Sequence, residues 1–282
     1  MTIPASSPWQ NQLALFAAIL WIKPIYTLLS AVLIFILLKV KSSDLAALRW
    51  GLISFLAGES FCAANIIWFD DGNYFLELLH MGGMLASLAF VTWAAMEGMD
   101  SRLLNFSDPE KKCSALSLCH RCVKYGPAVC GLNRLLHFLI PALMVLAAIP
   151  LLAITRAASY QVEILGVLHT YSHPVAYQII EIRYVPTAAI ILFAASLVIL
   201  LRGKTGPARL SKALLAGGIG ALGFSFLRLV LVGVYRENLL WFTFWEELTE
   251  LIYISGIGFV LWTFRKPLLP QEDEHRPSQT TT

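Results

Sequence analysis

The stretch LWFTFWEELTELIYISGIGFVLWTF, residues 240–264, is long and apolar enough to cross a lipid bilayer as one helix. Three carboxylates, Glu246, Glu247 and Glu250, interrupt it about two turns from its start. Ionisable side chains inside a bilayer are costly in free energy, so they usually mark functional positions. This stretch therefore predicts both a membrane helix and a site built around buried acids.

The whole chain has the composition of a membrane protein. Of its 282 residues, 57% are hydrophobic and 14% are charged, whereas soluble domains carry about 25% charged residues. We predict an all-α fold, a polytopic membrane helix bundle over residues 1–264, followed by a disordered cytoplasmic tail at 265–282. The apolar runs predict about seven transmembrane helices, at 12–40, 46–69, 73–96, 135–155, 185–201, 212–234 and 240–264.

Positive charge alternates from loop to loop. Lys and Arg are concentrated in the first, third and fifth loops and at the start of the tail, and they are sparse in the other loops. Because loops rich in Lys and Arg stay in the cytoplasm, we predict an N-terminus outside and a C-terminus inside an inner or plasma membrane. We expect no cleavable signal peptide, and the net charge of +3 suggests no nucleic-acid partner.

The third loop, residues 98–134, is predicted to be cytoplasmic and holds four of the five cysteines. They are Cys113, Cys119, Cys122 and Cys130, in the spacing C-x5-C-x2-C-x7-C. In a reducing compartment, clustered cysteines bind metal more often than they form disulfides. The pattern predicts a zinc ion or an iron–sulfur cluster, with unligated thiols as the alternative. The same loop is a candidate docking surface for a soluble or membrane protein partner.

Ionisable side chains from four predicted spans fall at a similar depth on the outer side of the membrane. They are Glu59, Glu77, His80, Arg228, Glu246, Glu247 and Glu250. We interpret them as an outer-leaflet pocket whose acids ligate metal or move protons. Arg228 is expected to pair with Glu246 or Glu250, because an unpaired buried charge costs several kcal/mol.

Residue spacing within this pocket suggests a metal site. Glu77-x-x-His80 and Glu247-x-x-Glu250 each place two ligands on one face of a helix. Glutamates and histidines so arranged bind pairs of metal ions in helix bundles. The pattern predicts a second metal ion, iron, bound in the outer pocket.

The fourth loop, residues 156–184, is predicted to fold over the outer face as a lid. It contains His169 and His173, which would share a face if the segment were helical, although Pro174 would end such a helix. These histidines would then complete the set of metal ligands from above. The predicted ligands are therefore Glu77, His80, Glu247, Glu250, His169 and His173.

Three functions fit these features, and the sequence does not decide whether the protein is an enzyme. The first is an integral membrane metalloprotein that carries out redox or metal-dependent chemistry on a lipophilic substrate such as a quinone or a lipid. The second is a proton- or cation-coupled transporter that uses buried Glu59, Glu246 and Glu250. The third is a seven-span receptor or assembly subunit that docks partners through the cysteine-rich loop. In the first, the catalytic residues would be Glu59, Glu77, Arg228, Glu246, Glu247 and Glu250.

Overall fold

A computed structural model describes most of the chain as long helices, which confirms the all-α prediction. It describes residues 9–69, 72–99, 131–152, 158–164, 167–173, 176–202, 208–235 and 238–264. The helices are α1 (Trp9–Leu37), α2 (Ser43–Phe69), α3 (Tyr74–Gly98), α4 (Gly131–Leu152), α5 (Ile180–Arg202), α6 (Ala208–Tyr235) and α7 (Leu239–Thr263). One helical turn, Ala176–Ile179, precedes α5. The four loop cysteines and the tail at 265–282 lie outside the described residues, so the predictions made for them stay predictions.

Five of the helices, α1, α2, α3, α5 and α6, are long and apolar enough to span a membrane. This indicates a multi-pass membrane protein in a lipid bilayer. The apolar part of α4, Leu136–Leu152, is shorter, and α7 has 25 residues but includes three glutamates. The count of seven spans and the outside position of the N-terminus remain predictions.

The predicted lid segment contains a β-hairpin rather than a helix around its histidines. Strands β1 (Ala158–Ile164) and β2 (Val167–His173) pair antiparallel, from Ala158 opposite His173 to Ile164 opposite Val167. The helical arrangement of His169 and His173 is therefore wrong. Backbone positions four residues apart are separated by about 13 Å along a strand, against about 6 Å along a helix.

The apolar core of the described residues includes two large clusters and a smaller one around Ile182 and Leu231. The first lies among α1, α2, α3 and α7, with Leu52, Phe55 and Ile254 fully buried. The second lies among α4, α5 and α6, around Phe193 and Leu215. Small residues bring the two large clusters together, because α6 packs its glycine-rich run directly against the backbone of α3.

Two helices contain a π-helical turn beside an ionisable residue. In α1 the turn Ala17–Ile22 ends where the N–H of Lys23 bonds to the carbonyl of Ala18. Pro24 follows and has no N–H to donate. In α5 the turn Ile180–Tyr184 includes Glu181. Because π-turns occur frequently at functional sites, the residues around both turns are candidates for a functional site.

Candidate functional site

Six polar side chains from α1, α2, α3 and α7 meet inside the bundle and form what we call the tyrosine cluster. Its members are Lys23, Tyr26, Glu59, His80, Glu247 and Glu250. Lys23 lies halfway along α1 and Glu250 close to halfway along α7. The cluster therefore lies near the middle of α1 and of α7, and the outer-leaflet position of the pocket remains a prediction.

Tyr26 is the centre of the cluster and is fully buried. Its hydroxyl lies 2.6 Å from Glu59 Oε2 and 2.5 Å from Glu247 Oε2. The ring packs edge-on against Phe55, with centroids 5.5 Å apart. A phenol has one hydrogen to donate, so two such short contacts need a second hydrogen, carried by one of the two carboxyl groups.

Lys23 supplies the positive charge of the cluster. Its Nζ lies 2.5 Å from Glu59 Oε2 and 3.0 Å from Glu247 Oε1. Cys62 Sγ lies 3.9 Å from the same ammonium group. Two of the three carboxylates therefore contact the lysine, and the cluster carries a formal excess of negative charge when His80 is neutral.

His80 is oriented by the backbone of the neighbouring helix. Its Nδ1 lies 3.0 Å from the carbonyl oxygen of Gly58, and a carbonyl only accepts hydrogen bonds. Nδ1 therefore carries the hydrogen, which leaves Nε2 with a lone pair for a ligand. The contact is possible because α2 and α3 touch at glycines. A Cβ placed on Gly83 would lie 2.7 Å from the Cα of Gly58.

Two carboxyl oxygens of the cluster are buried without a hydrogen-bond partner among the described residues. They are Oε1 of Glu59 and Oε2 of Glu250, whose residues are 3% and 6% exposed. Ligand atoms of Glu59, His80 and Glu250 lie within 4.8 Å of one another. Because buried polar atoms normally find partners, these oxygens mark the point where the cluster can accept a further cation.

A second ionic group, the arginine cluster, joins α5, α6 and α7 and consists of Glu181, Arg228 and Glu246. Arg228 Nε lies 3.1 Å from Glu181 Oε2, an ion pair whose N–H is not aligned for a hydrogen bond. Arg228 Nη1 also donates to Glu246 Oε1. Of the two pairs expected from the sequence, Arg228–Glu246 is present.

In the structure, the predicted site residues fall into the two clusters and into positions outside both. Glu59, His80, Glu247 and Glu250 come together in the tyrosine cluster, whereas Glu246 and Arg228 form the other group. Glu77 accepts a 2.7 Å hydrogen bond from Asn65 Nδ2 near the start of α3, outside the group formed by Glu59, His80 and Glu250. His169 and His173 lie on β2.

Three residues of these clusters are missing from the sequence prediction. Lys23 is a charge inside an apolar run, and the rule that identified the glutamates applies to it equally. Glu181 falls within residues 156–184, the predicted lid loop, but helical structure already begins at Ala176 and continues into α5. Tyr26 carries no comparable signal, since tyrosine is common in membrane helices.

Known proteins offer no guide to this site. The chain matches no protein-family model, no curated protein and no solved structure. Function must therefore be argued from the two clusters themselves.

Proposed function

We propose that this chain is a proton- or cation-coupled membrane transporter in which the tyrosine cluster takes up and releases the coupling ions. The observation that carries the proposal is the hydroxyl of Tyr26, held between carboxyl oxygens of Glu59 and Glu247 at 2.6 and 2.5 Å.

The charge balance supports ion uptake. Glu59, Glu247 and Glu250 are each less than 10% exposed, and Lys23 contacts the first two of them. Burying unpaired charges costs several kcal/mol for each ion. The cluster therefore reaches neutrality by binding two protons, or cations of equal total charge.

The hydrogen-bonding geometry supports proton movement between helices. Glu59 belongs to α2, Tyr26 to α1 and Glu247 to α7, and the hydroxyl of Tyr26 contacts both acids. When one acid is protonated, it can donate its hydrogen to the oxygen of Tyr26 while Tyr26 donates its own hydrogen to the other acid, and rotation of the O–H group then resets the hydroxyl. A proton can thus pass between α2 and α7 without a large displacement of either helix.

The π-turn next to Lys23 supplies a place where α1 can adjust. Its hydrogen bonds follow the i→i−5 pattern, from Lys23 N–H to the carbonyl of Ala18, and Pro24 contributes no N–H. Irregular turns of this kind are where helices bend. A shift of the turn would move Lys23 relative to Glu59 and Glu247, which is the coupling that a transporter needs.

These features favour transport over the redox and receptor hypotheses. A shared hydrogen between two buried acids follows directly from proton uptake. Neither chemistry on a lipophilic substrate nor docking of a partner requires a hydroxyl held in this position.

Infrared difference spectroscopy tests proton uptake without knowledge of the transported substrate. The full chain in lipid membranes is taken through a change of pH, and the C=O stretch of protonated carboxyl groups is recorded. We expect a carboxylic-acid band that weakens in Glu59→Gln and in Glu247→Gln. The matched control is Glu246→Gln, the neighbouring acid on α7, which contacts Arg228 and should leave the band unchanged.

Vesicles that contain the purified chain provide the functional measurement. Proton flux driven by an imposed pH gradient should be abolished by Glu59→Gln and by Glu250→Gln. Two results together would overturn the proposal. One is wild-type proton flux in both variants. The other is a carboxyl infrared band that is unchanged in Glu59→Gln, Glu247→Gln and Glu250→Gln.

A further inference from the structure

We infer that Glu59, His80 and Glu250 form a binding site for a divalent first-row transition-metal ion with nitrogen and oxygen preference, such as Mn²⁺. The inference deepens the proposed function, on which it rests for treating the tyrosine cluster as a cation-binding site. It names three ligands and a class of ion.

The donor atoms have suitable chemistry and are close to the required geometry. Two carboxylates and one imidazole contribute ligand atoms within 4.8 Å of one another. Ligands at about 2.1 Å from a tetrahedral ion are about 3.4 Å apart, so a small side-chain adjustment closes the site around an ion. Three protein ligands leave a coordination position open for water or another group.

Buried carboxyl oxygens without a hydrogen-bond partner among the described residues are a second indication of a bound ion, separate from the proximity of the three ligands. Glu250 Oε2 is buried without a hydrogen-bond partner among the described residues, on a side chain more than nine-tenths buried. The two oxygens of Glu59 have different surroundings. Oε2 contacts Lys23 and Tyr26. Oε1 has no hydrogen-bond partner among the described residues and lies 3.7 Å from His80 Nδ1.

The tautomer of the imidazole is already fixed as in many metal ligands. Metal-binding histidines commonly donate their second N–H to a carbonyl or a carboxylate. His80 Nδ1 meets this condition through its 3.0 Å contact with the carbonyl of Gly58. Nε2 is then the nitrogen left to bind the ion, and the ring has to turn to bring it toward Glu59, because the nitrogen 3.7 Å from Glu59 Oε1 is Nδ1.

Formal charge selects a divalent ion. The three carboxylates of the tyrosine cluster outweigh Lys23 by two charges, and a single divalent ion restores neutrality without moving the lysine. Imidazole ligation disfavours Mg²⁺ and Ca²⁺, which prefer oxygen alone. Binding displaces the protons that otherwise balance the cluster, so affinity should rise with pH.

Mn²⁺ is the appropriate probe because the chain also contains the four loop cysteines. Thiolates select softer ions such as Zn²⁺, whereas Mn²⁺ is suited by carboxylate oxygens and binds thiolates less readily. Titration of the purified full chain with Mn²⁺, followed by electron paramagnetic resonance, should show saturable binding of one ion. Echo-modulation spectra should contain the nitrogen coupling of one imidazole.

Variants assign the ligands. Glu250→Gln and His80→Gln should each weaken Mn²⁺ binding at least about tenfold, and His80→Gln should remove the nitrogen coupling. Glu246→Gln is the matched control, because it removes an acid of α7 that lies outside the site, and it should bind Mn²⁺ as the wild type does. Elution of each variant as a single species on size exclusion establishes that it is folded.

The outcomes separate this inference from the proposed function. Absence of saturable Mn²⁺ binding by the wild type, or an unchanged nitrogen coupling in His80→Gln, overturns the metal site even when the carboxyl band persists. Mn²⁺ binding that fails only in the ligand variants supports the site. If such binding occurs without any pH-linked carboxyl band, the site stands and proton coupling is wrong.

Discussion

Glu246 and Glu247 are neighbours on α7, yet they belong to ionic clusters that are built in different ways. Glu246 contacts Arg228 of α6, which also reaches Glu181. Glu247 contacts Lys23 and Tyr26 of α1. Successive residues of a helix point about 100° apart, so one step along α7 changes which neighbouring helices a side chain meets.

The two clusters differ in how completely a cation covers their acids. In the arginine cluster, one guanidinium contacts both carboxylates, although Arg228 Nε and Glu181 Oε2 are not aligned for a hydrogen bond. In the tyrosine cluster, one lysine contacts Glu59 and Glu247, and the third acid, Glu250, has an Oε2 without a hydrogen-bond partner among the described residues. The first arrangement suits a fixed structural support, and the second suits a site whose charge changes.

The largest expected difference between the two clusters is the loss of stability when the cation of each cluster, Arg228 or Lys23, is removed. Arg228→Met leaves the buried Glu181 and the half-buried Glu246 without their cation and should destabilise the protein by about 3–5 kcal/mol. Lys23→Met should cost less, because the acids of the tyrosine cluster can take protons instead. Thermal unfolding in detergent, followed by size exclusion, compares the two variants. Equal losses would remove the distinction between the clusters.

Tyr26→Phe deletes the shared hydroxyl and keeps the ring that packs on Phe55. Buried oxygens of Glu59 and Glu247 lose their donor, so stability should fall by about 2–3 kcal/mol, and the carboxyl infrared band should shift. Tyr253→Phe is the matched control, since its hydroxyl lies 3.1 Å from Ser87 Oγ. We expect a smaller loss there and the wild-type band. A wild-type band in Tyr26→Phe would argue against a shared proton.

Gly83→Ala tests whether the close contact of α2 and α3 supports the tyrosine cluster. The added Cβ would meet Gly58 Cα at 2.7 Å, so overpacking should exceed the gain in helix propensity by about 1–2 kcal/mol. Mn²⁺ affinity should fall as His80 moves away from the Gly58 carbonyl.

Gly82→Ala is the control for this substitution, because a Cβ at Gly82 meets no atom within 4 Å. It should stabilise α3 by up to about 1 kcal/mol. Equal stabilities of the two alanine variants, measured by the same unfolding assay, would mean that the helices can separate without cost.

Glu181→Gln should have the smallest effect. The amide keeps an oxygen for Arg228, Glu246 remains as a carboxylate partner, and the backbone carbonyl of residue 181 still accepts from Ser225. We expect a change below about 1 kcal/mol in unfolding free energy and unchanged proton flux. A loss of flux would instead make the arginine cluster part of the transport path.

Polar side chains that interrupt apolar runs are the part of the site that the sequence indicates. Glu59, His80, Glu247 and Glu250 are such residues and lie together in the structure, and the expected pairing of Arg228 with Glu246 is present; their role as site residues stays a prediction. The contact of Gly58 with Gly83 could not be predicted, because a glycine pair in two helices does not specify which faces meet. Glu77 was assigned to the pocket by its spacing from His80, but the amide of Asn65 bonds to it instead.

The partners of Lys23 could not be predicted from its position in the sequence, because the π-turn at Ala17–Ile22 shifts the helical phase of α1. A π-turn contains more residues than an α-turn, so a single helical wheel drawn through Trp9–Leu37 does not describe both halves of the helix. Each residue of an α-helix advances the wheel by about 100°. Loss of one residue from the turn would rotate Lys23 and Tyr26 by that amount relative to the preceding half. The length of this turn, as much as the identity of Lys23, therefore sets which part of the surroundings the lysine faces.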